Sequence, residues 1–190
     1  MKCLFLGYNS KKTKLIKFLK KKEFKVQNLT RKINQKDIID KDIVISFGYK
    51  KIIDKQLIKK NKLPIINLHI SYLPYNRGSH PNFWSFVDKT PSGVTIHEID
   101  QGIDTGKIIY QKKIYFNYEK NKSLTFKSTY KILIKEIEKL FMKKFESLIS
   151  MNYKKKSQKK RGTFHSKKDL PKSFKNWDVS IYKFVKSINR

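Results

Sequence analysis

Asn67 and His69 stand two residues apart in the run Ile65-Ile66-Asn67-Leu68-His69. In an extended strand that spacing puts both side chains on one face. An amide beside an imidazole can hold an oxygen that becomes negative during acyl transfer. Asp104 sits in a turn-rich stretch from Asp100 to Gly106, where a loop can bring its carboxylate to the pair. A carboxylate near a histidine raises the imidazole pKa and can relay protons, as general acid–base catalysis requires. Each residue also has a structural reading: His69 as a satisfied half-buried histidine, Asn67 as a strand-end turn former, Asp104 as an Asx-turn residue.

The elements that would position these groups follow from hydrophobic periodicity. Lys2 to Leu6 is a short apolar run stopped by Gly7, and Leu15, Ile16, Phe18 and Leu19 follow at helical spacing. This predicts strand, turn, helix. Phe24 to Leu29 gives a second strand, and Ile43 to Phe47 a third that is apolar on both faces. Ile52, Ile53, Leu57 and Ile58 supply a further helix before Pro64 introduces the strand carrying Asn67 and His69. Alternating strands and helices predict a parallel, right-handed α/β sheet, with its ligand crevice beyond the carboxyl ends of the strands. A breaker-rich loop from Pro74 to Pro81 leads into a short helix, about Asn82 to Val87. Gly93 to His97 and Lys107 to Phe116 read as two more strands. A stripe from Tyr130 to Ile149 predicts one long helix, and Trp177, Ile181, Phe184, Val185 and Ile188 predict a terminal amphipathic helix.

The chain has 190 residues, enough for one domain with its own core. Its single cysteine, Cys3, reads as a buried thiol in a reducing cytoplasm. The N-terminal apolar run is too short for a signal peptide, and no run approaches the roughly 20 apolar residues of a membrane helix. A cytoplasmic protein with no membrane insertion is expected. The 45 Lys+Arg against 15 Asp+Glu give a formal charge of +30, which alone would point to nucleic acid or an anionic membrane. The lysines are spread over every segment together with Ile and Asn, a pattern that genome composition explains better than a binding patch. Lys154, Lys155, Lys156, Lys159, Lys160 and Arg161 do cluster, and read as a solvated connector before an anion site.

Three segments recur in fixed order: Asn67-Leu68-His69-Ile70-Ser71-Tyr72-Leu73-Pro74-Tyr75-Asn76-Arg77-Gly78, Gly93-Val94-Thr95-Ile96-His97, and Asp100-Gln101-Gly102-Ile103-Asp104-Thr105-Gly106. Their order and spacing closely resemble the folate-dependent formyltransferases, the family of methionyl-tRNA formyltransferase, glycinamide ribonucleotide transformylase and the sugar N-formyltransferases. The resemblance implies a three-layer, Rossmann-like, mostly parallel α/β sheet with helices on both faces. It divides the chain into a catalytic domain, 1–150, and a basic connector with a C-terminal helix, 151–190, packed on that domain. It implies Asn67, His69 and Asp104 as the catalytic trio, 10-formyltetrahydrofolate as donor, and no metal. The pterin pocket it implies is lined by Phe47, Gly48, Tyr49 and Lys50 on one side and Asp100, Gly102 and Ile103 on the other. Gly48 and Gly102 would let backbone approach a flat ring.

Within the family, Gly7-Tyr8-Asn9-Ser10-Lys11 lacks the Gly-rich phosphate loop of the glycinamide ribonucleotide branch, and nothing after Met151 leaves room for the β-domain of the tRNA enzyme. The run from Leu73 to Gly78 with Pro81 and Trp84, and Gly162 to Asp169, are similar to the sugar N-formyltransferases. That similarity implies a nucleotide-linked amino sugar as acceptor, with Arg77, Gly78 and His80 as candidate contacts; Arg77 reads equally as a solvated loop residue. Sugar enzymes are expected to continue past the segment resembling Val179 to Arg190, which leaves the acceptor less defined than the chemistry. Homodimerisation stays open. The alternatives are a formyltetrahydrofolate hydrolase, formylation of another amine, and a non-catalytic RNA-binding protein on the same scaffold.

Overall fold

The computed structural model describes residues 1–61, 63–158 and 161–188. Eight strands are present among them: β1 (Lys2–Gly7), β2 (Lys25–Leu29), β3 (Ile43–Phe47), β4 (Ile65–His69), β5 (Arg77–Gly78), β6 (Gly93–Glu98), β7 (Ile108–Lys113) and β8 (Phe164–His165). The helices are α1 (Leu15–Lys21), α2 (Gln35–Ile38), α3 (Lys55–Lys60), α4 (Pro81–Val87), α5 (Phe126–Lys143), α6 (Phe145–Ile149) and α7 (Ile181–Ile188). Six strands form one sheet in the order β2-β1-β3-β4-β6-β7, while β5 and β8 pair separately.

Period-two alternation divides each central strand between two cores. From β1, Cys3 and Phe5 enter a cluster with α1, α5 and α6, whereas Leu4 and Leu6 enter one with Ile38 and Leu57 on the opposite face. Helices therefore cover both faces of the sheet. Burial pushes the Cys3 thiol pKa up to about 12, which makes it a packing residue. The buried carboxylate of Glu138 on α5 accepts the Thr13 hydroxyl at 2.6 Å and the Lys14 N–H at 3.0 Å, joining α5 to the start of α1.

The sheet is less uniformly parallel than alternating elements suggest. β2, β1, β3 and β4 run parallel, but β6 pairs antiparallel with both β4 and β7. A parallel return needs a crossover helix lying on the sheet. The short α4 instead packs with α7 and Phe126 in a third, aromatic cluster. The helix expected around Ile52 and Ile53 begins only at Lys55, because the Asp54 carboxylate caps it by accepting the Gln56 N–H at 2.8 Å. Ile52 is left 78% exposed. The stripe from Tyr130 to Ile149 is split at Lys144, whose N–H donates to both Leu140 and Phe141 carbonyls. This tightened turn keeps Phe145 edge-on to Phe18 at 5.0 Å. Trp177 precedes the terminal helix instead of lying on it.

Two members of the basic cluster are tied to the sheet. Lys155 pairs with Glu98 at 2.8 Å, and Lys156 forms a backbone bridge with Ile108; Lys159 and Lys160 lie outside the described residues. No helix among the described residues is long and apolar enough to cross a membrane.

Candidate active site

β4 delivers Asn67 and His69 to the same side, and the loop after β6 returns Asp104 to meet them. Asp104 Oδ1 accepts an Asn67 amide hydrogen at 3.3 Å, and Asp104 Oδ2 lies 3.7 Å from His69 Nε2. Oδ2 also accepts the Gly78 N–H at 2.8 Å. The structure thus brings the three residues singled out from the sequence into one cluster.

Protonation follows from the partners. His69 Nε2 faces two acceptors, the Asn76 carbonyl at 3.5 Å and the Asp104 carboxylate, so this nitrogen carries the hydrogen. Burial pushes the His69 pKa below its ordinary value, outweighing the opposing pull of Asp104. The expectation that the carboxylate would raise it is therefore reversed by desolvation. Burial also opposes ionisation of Asp104, but His69, His97 and the Gly78 N–H outweigh it and hold the carboxyl well below the usual carboxylate range. Near neutral pH the site holds a neutral imidazole with its N–H outward and an ionised carboxylate. We expect the His69 imidazole, followed by NMR, to titrate below the ordinary histidine value of 6.5. A His69 titration midpoint above that value would contradict the neutral assignment. The stability linkage has the same sign: a buried neutral imidazole favours the fold fully above 6.5, and that contribution fades as pH falls towards the lowered folded-state pKa.

A fourth side chain, His97, was not singled out from the sequence. Its Nδ1 lies 2.8 Å from the Glu98 carbonyl, and its Nε2 lies 3.0 Å from the Asn67 amide nitrogen and 3.5 Å from Asp104 Oδ1. His97 thereby meets both Asn67 and Asp104. The signal available was pairing: β4 and β6 place Asn67 directly opposite His97.

Two cavities meet at this cluster. The larger, about 780 Å³, extends past Tyr8, Phe47, Gly48, Tyr130 and Trp177. The smaller, about 680 Å³, extends past Ile53, Ile99, Asp100, Gly102 and Ile103. Tyr49, Lys50, Asn67, Gly78, His80 and Asp104 line both. Of the residues expected to hold a pterin, Tyr49, Lys50, Asp100, Gly102 and Ile103 line the smaller cavity, whereas Phe47 and Gly48 line only the larger. Gly48, at φ +65, has no room for a side chain: an added Cβ would lie 2.3 Å from the Tyr8 ring. Gly102 lies in a turn in which the Asp100 carboxylate accepts its N–H at 3.0 Å and the Thr105 hydroxyl at 2.5 Å.

The acceptor-side candidates separate. Gly78 supports Asp104 through its N–H. His80 lies with its ring 5.4 Å from Trp177, and burial, then Lys167, lowers its pKa. Arg77 lines neither cavity; its Nε and Nη2 donate to Gln158 Oε1 at 3.1 and 2.7 Å. No group of three or more His, Cys, Asp or Glu among the described residues is arranged to hold a metal ion.

A six-stranded, mostly parallel sheet with an Asn–His–Asp cluster at the carboxyl end of its fourth strand defines an acyl-transfer scaffold. Residues 3–131 match the formyl transferase family model, and the chain belongs to that family. Among solved structures it is similar to the formyltransferase PseJ from Anoxybacillus kamchatkensis, in complex with UDP-4,6-dideoxy-4-formamido-L-AltNAc and tetrahydrofolate. That likeness has 38% identity and a TM-score of 0.88, and covers 96% of this chain and 97% of that one. The expectation that sugar-type relatives continue further thus fails for this one. Curated relatives include a methionyl-tRNA formyltransferase of Thermodesulfovibrio yellowstonii, 36% identical over 100 residues, 52% of this chain and 32% of its own. A dTDP-4-amino-4,6-dideoxyglucose formyltransferase of Mycobacterium tuberculosis is 42% identical over 72 residues, 38% of this chain and 30% of its own. The chain spans about a third or less of the length of these curated relatives.

Proposed function

We propose that the chain transfers a formyl group from 10-formyltetrahydrofolate, seated in the smaller cavity, to the amine of a nucleotide-linked amino sugar in the larger. The observation that carries this reading is that Asn67, Gly78 and Asp104 line both cavities, so the reacting groups of two bound molecules would meet on them. A hydrolase needs room for water only, and the larger cavity would then have no role. The likeness to PseJ supports the amino-sugar acceptor, since that protein was solved with a nucleotide-linked formamido sugar and a folate.

In this mechanism the neutral amine attacks the formyl carbon and the carbonyl electron pair moves to oxygen, where the N–H groups of Asn67 and His69 hold it. The Asn67 amide nitrogen contacts both His97 and Asp104 in the present arrangement. The longer contact, at 3.3 Å, is the one an oxyanion would take over. The ionised Asp104 accepts the proton released by the attacking nitrogen. The oxyanion then re-forms the carbonyl, the bond to the folate nitrogen breaks, and Asp104 passes the proton it took to that leaving nitrogen.

Trp177 supports the placement of the nucleotide. It is 37% exposed in the wall of the larger cavity, beside Lys175, while the other tryptophan, Trp84, is buried and stacked on His165 at 3.8 Å. An aromatic face beside a lysine suits a pyrimidine base and its diphosphate. Titration with UDP should quench tryptophan emission saturably, and Trp177→Ala should abolish the response. Unquenched emission in the wild-type protein at millimolar UDP would remove the nucleotide from this wall.

A further inference from the structure

We propose that Gln158 is a positioning residue that sets the catalytic loop, a role lying beyond the 3–131 segment matched by the family model. The inference rests on the reading of Asp104 as the proton acceptor. Gln158 Nε2 donates to the carbonyls of Asp104 at 2.9 Å and Gly106 at 2.7 Å, the residues on either side of Thr105. Its Oε1 accepts both Nε and Nη2 of Arg77. Arg77 immediately precedes Gly78, whose N–H holds Asp104 Oδ2. One amide thus ties together the two backbone segments that converge on the Asp104 carboxylate: the loop that carries it and the residue that donates to it.

The loop needs such a tie. Asp104 has φ +53, in the left-handed region that most residues with a Cβ disfavour and that Asp enters when its carboxylate is bonded locally. Such a conformation persists only where the surroundings over-determine it. Around Asp104 the over-determination comes from Gln158 on its carbonyl, Gly78 on its carboxylate and Asn67 on the same carboxylate. The strap carrying Gln158 is itself seated: Thr163 donates its hydroxyl to Asn76 Oδ1 at 3.1 Å, and β8 runs parallel to β5. An added Cβ on Gly162 would lie 1.9 Å from the Pro74 carbonyl, so the strap crosses hard against the loop after β4. Gln158, within a segment that reads from sequence as a solvated connector, is therefore bonded to the loop that carries Asp104.

Two substitutions separate holding the loop from merely filling space. Gln158→Glu keeps an acceptor for Arg77, and so the strap, but loses both bonds donated to the loop. Gln158→Met keeps the volume and loses every bond without adding charge. The direct readout is the titration of the Asp104 carboxyl carbon by 13C NMR in full-length wild-type and Gln158→Met protein, which needs no turnover. A freed loop loosens the Gly78 N–H on Asp104, and the inference predicts that the carboxyl then titrates at higher pH. An unmoved titration overturns it. In steady-state kinetics both variants should lose roughly 10- to 100-fold in kcat with KM for donor and acceptor within about twofold. Gln158→Glu should melt within a few degrees of wild type. A kcat within twofold of wild type in Gln158→Met would also overturn the inference. Absence of amine-dependent transfer in wild-type protein would instead overturn the proposed function, and the titration would still decide the role of Gln158.

Discussion

Asp104→Asn should slow formyl transfer by about a thousandfold while leaving the fold intact, because it removes a proton acceptor and almost nothing else. Asparagine has the same shape, and its carbonyl oxygen can still take the Gly78 N–H now held at 2.8 Å by Oδ2. The Gln158 bond is to the backbone carbonyl and is kept, while the amide NH2 that replaces Oδ1 forgoes only the long Asn67 contact at 3.3 Å. What asparagine cannot do is take the proton that the nitrogen releases once the neutral amine has attacked. Wild-type Asp104 is held ionised far below neutrality, so its charge is present at every working pH. The check is kcat measured beside a circular-dichroism melt. A variant that keeps a tenth or more of the wild-type rate would show that protons leave by another route.

Gly78→Ala should damage both fold and activity, and for a local reason. Gly78 has φ +86, and an added Cβ would sit 2.3 Å from the His165 carbonyl and 2.9 Å from the Phe164 ring. Left-handed backbone costs an alanine roughly 1–2 kcal/mol before any clash is counted. Relief requires β5 to move away from β8, and with it the N–H that supports Asp104. A loss of about 2–3 kcal/mol corresponds to a fall in Tm of roughly 5–10 °C for a domain of this size. Displacing the Asp104 support by about 1 Å should cost roughly a hundredfold in kcat. Differential scanning calorimetry and initial rates on the same preparation check both effects. A variant with wild-type Tm would mean that the β5–β8 pairing is not as close as described.

The parts of the site legible in the sequence were those fixed by local spacing. Asn67 and His69 share a face because side chains alternate along a strand, and Gly102 marks a turn because Asp100 and Thr105 close around it. The central strands were legible for the same reason, each being a short apolar run bounded by breakers. The less legible parts depend on partners far away in the chain. His97 becomes functional only when β6 pairs antiparallel with β4, and a pattern of alternating strands and helices suggests the opposite direction. Gln158 is one polar residue in a lysine-rich stretch; nothing in its neighbours announces that its amide crosses to Asp104 and Arg77. The lowered His69 pKa reflects the balance between burial and one carboxylate, and burial is not visible in a motif. The resemblance implies Arg77 as a substrate contact and its loop position reads equally as solvated; that its guanidinium bonds Gln158 depends on a partner about eighty residues away and is not visible in either.

The central claim is that two molecules meet at Asn67, His69 and Asp104. Its most direct measurement is mass spectrometry of the acceptor after incubating the purified chain with 10-formyltetrahydrofolate and a UDP- or dTDP-linked amino sugar. The account predicts gain of one formyl group on the sugar amine, matched by release of tetrahydrofolate. Donor consumed at the same rate without acceptor, with free formate as the product and no formylated sugar, would contradict it.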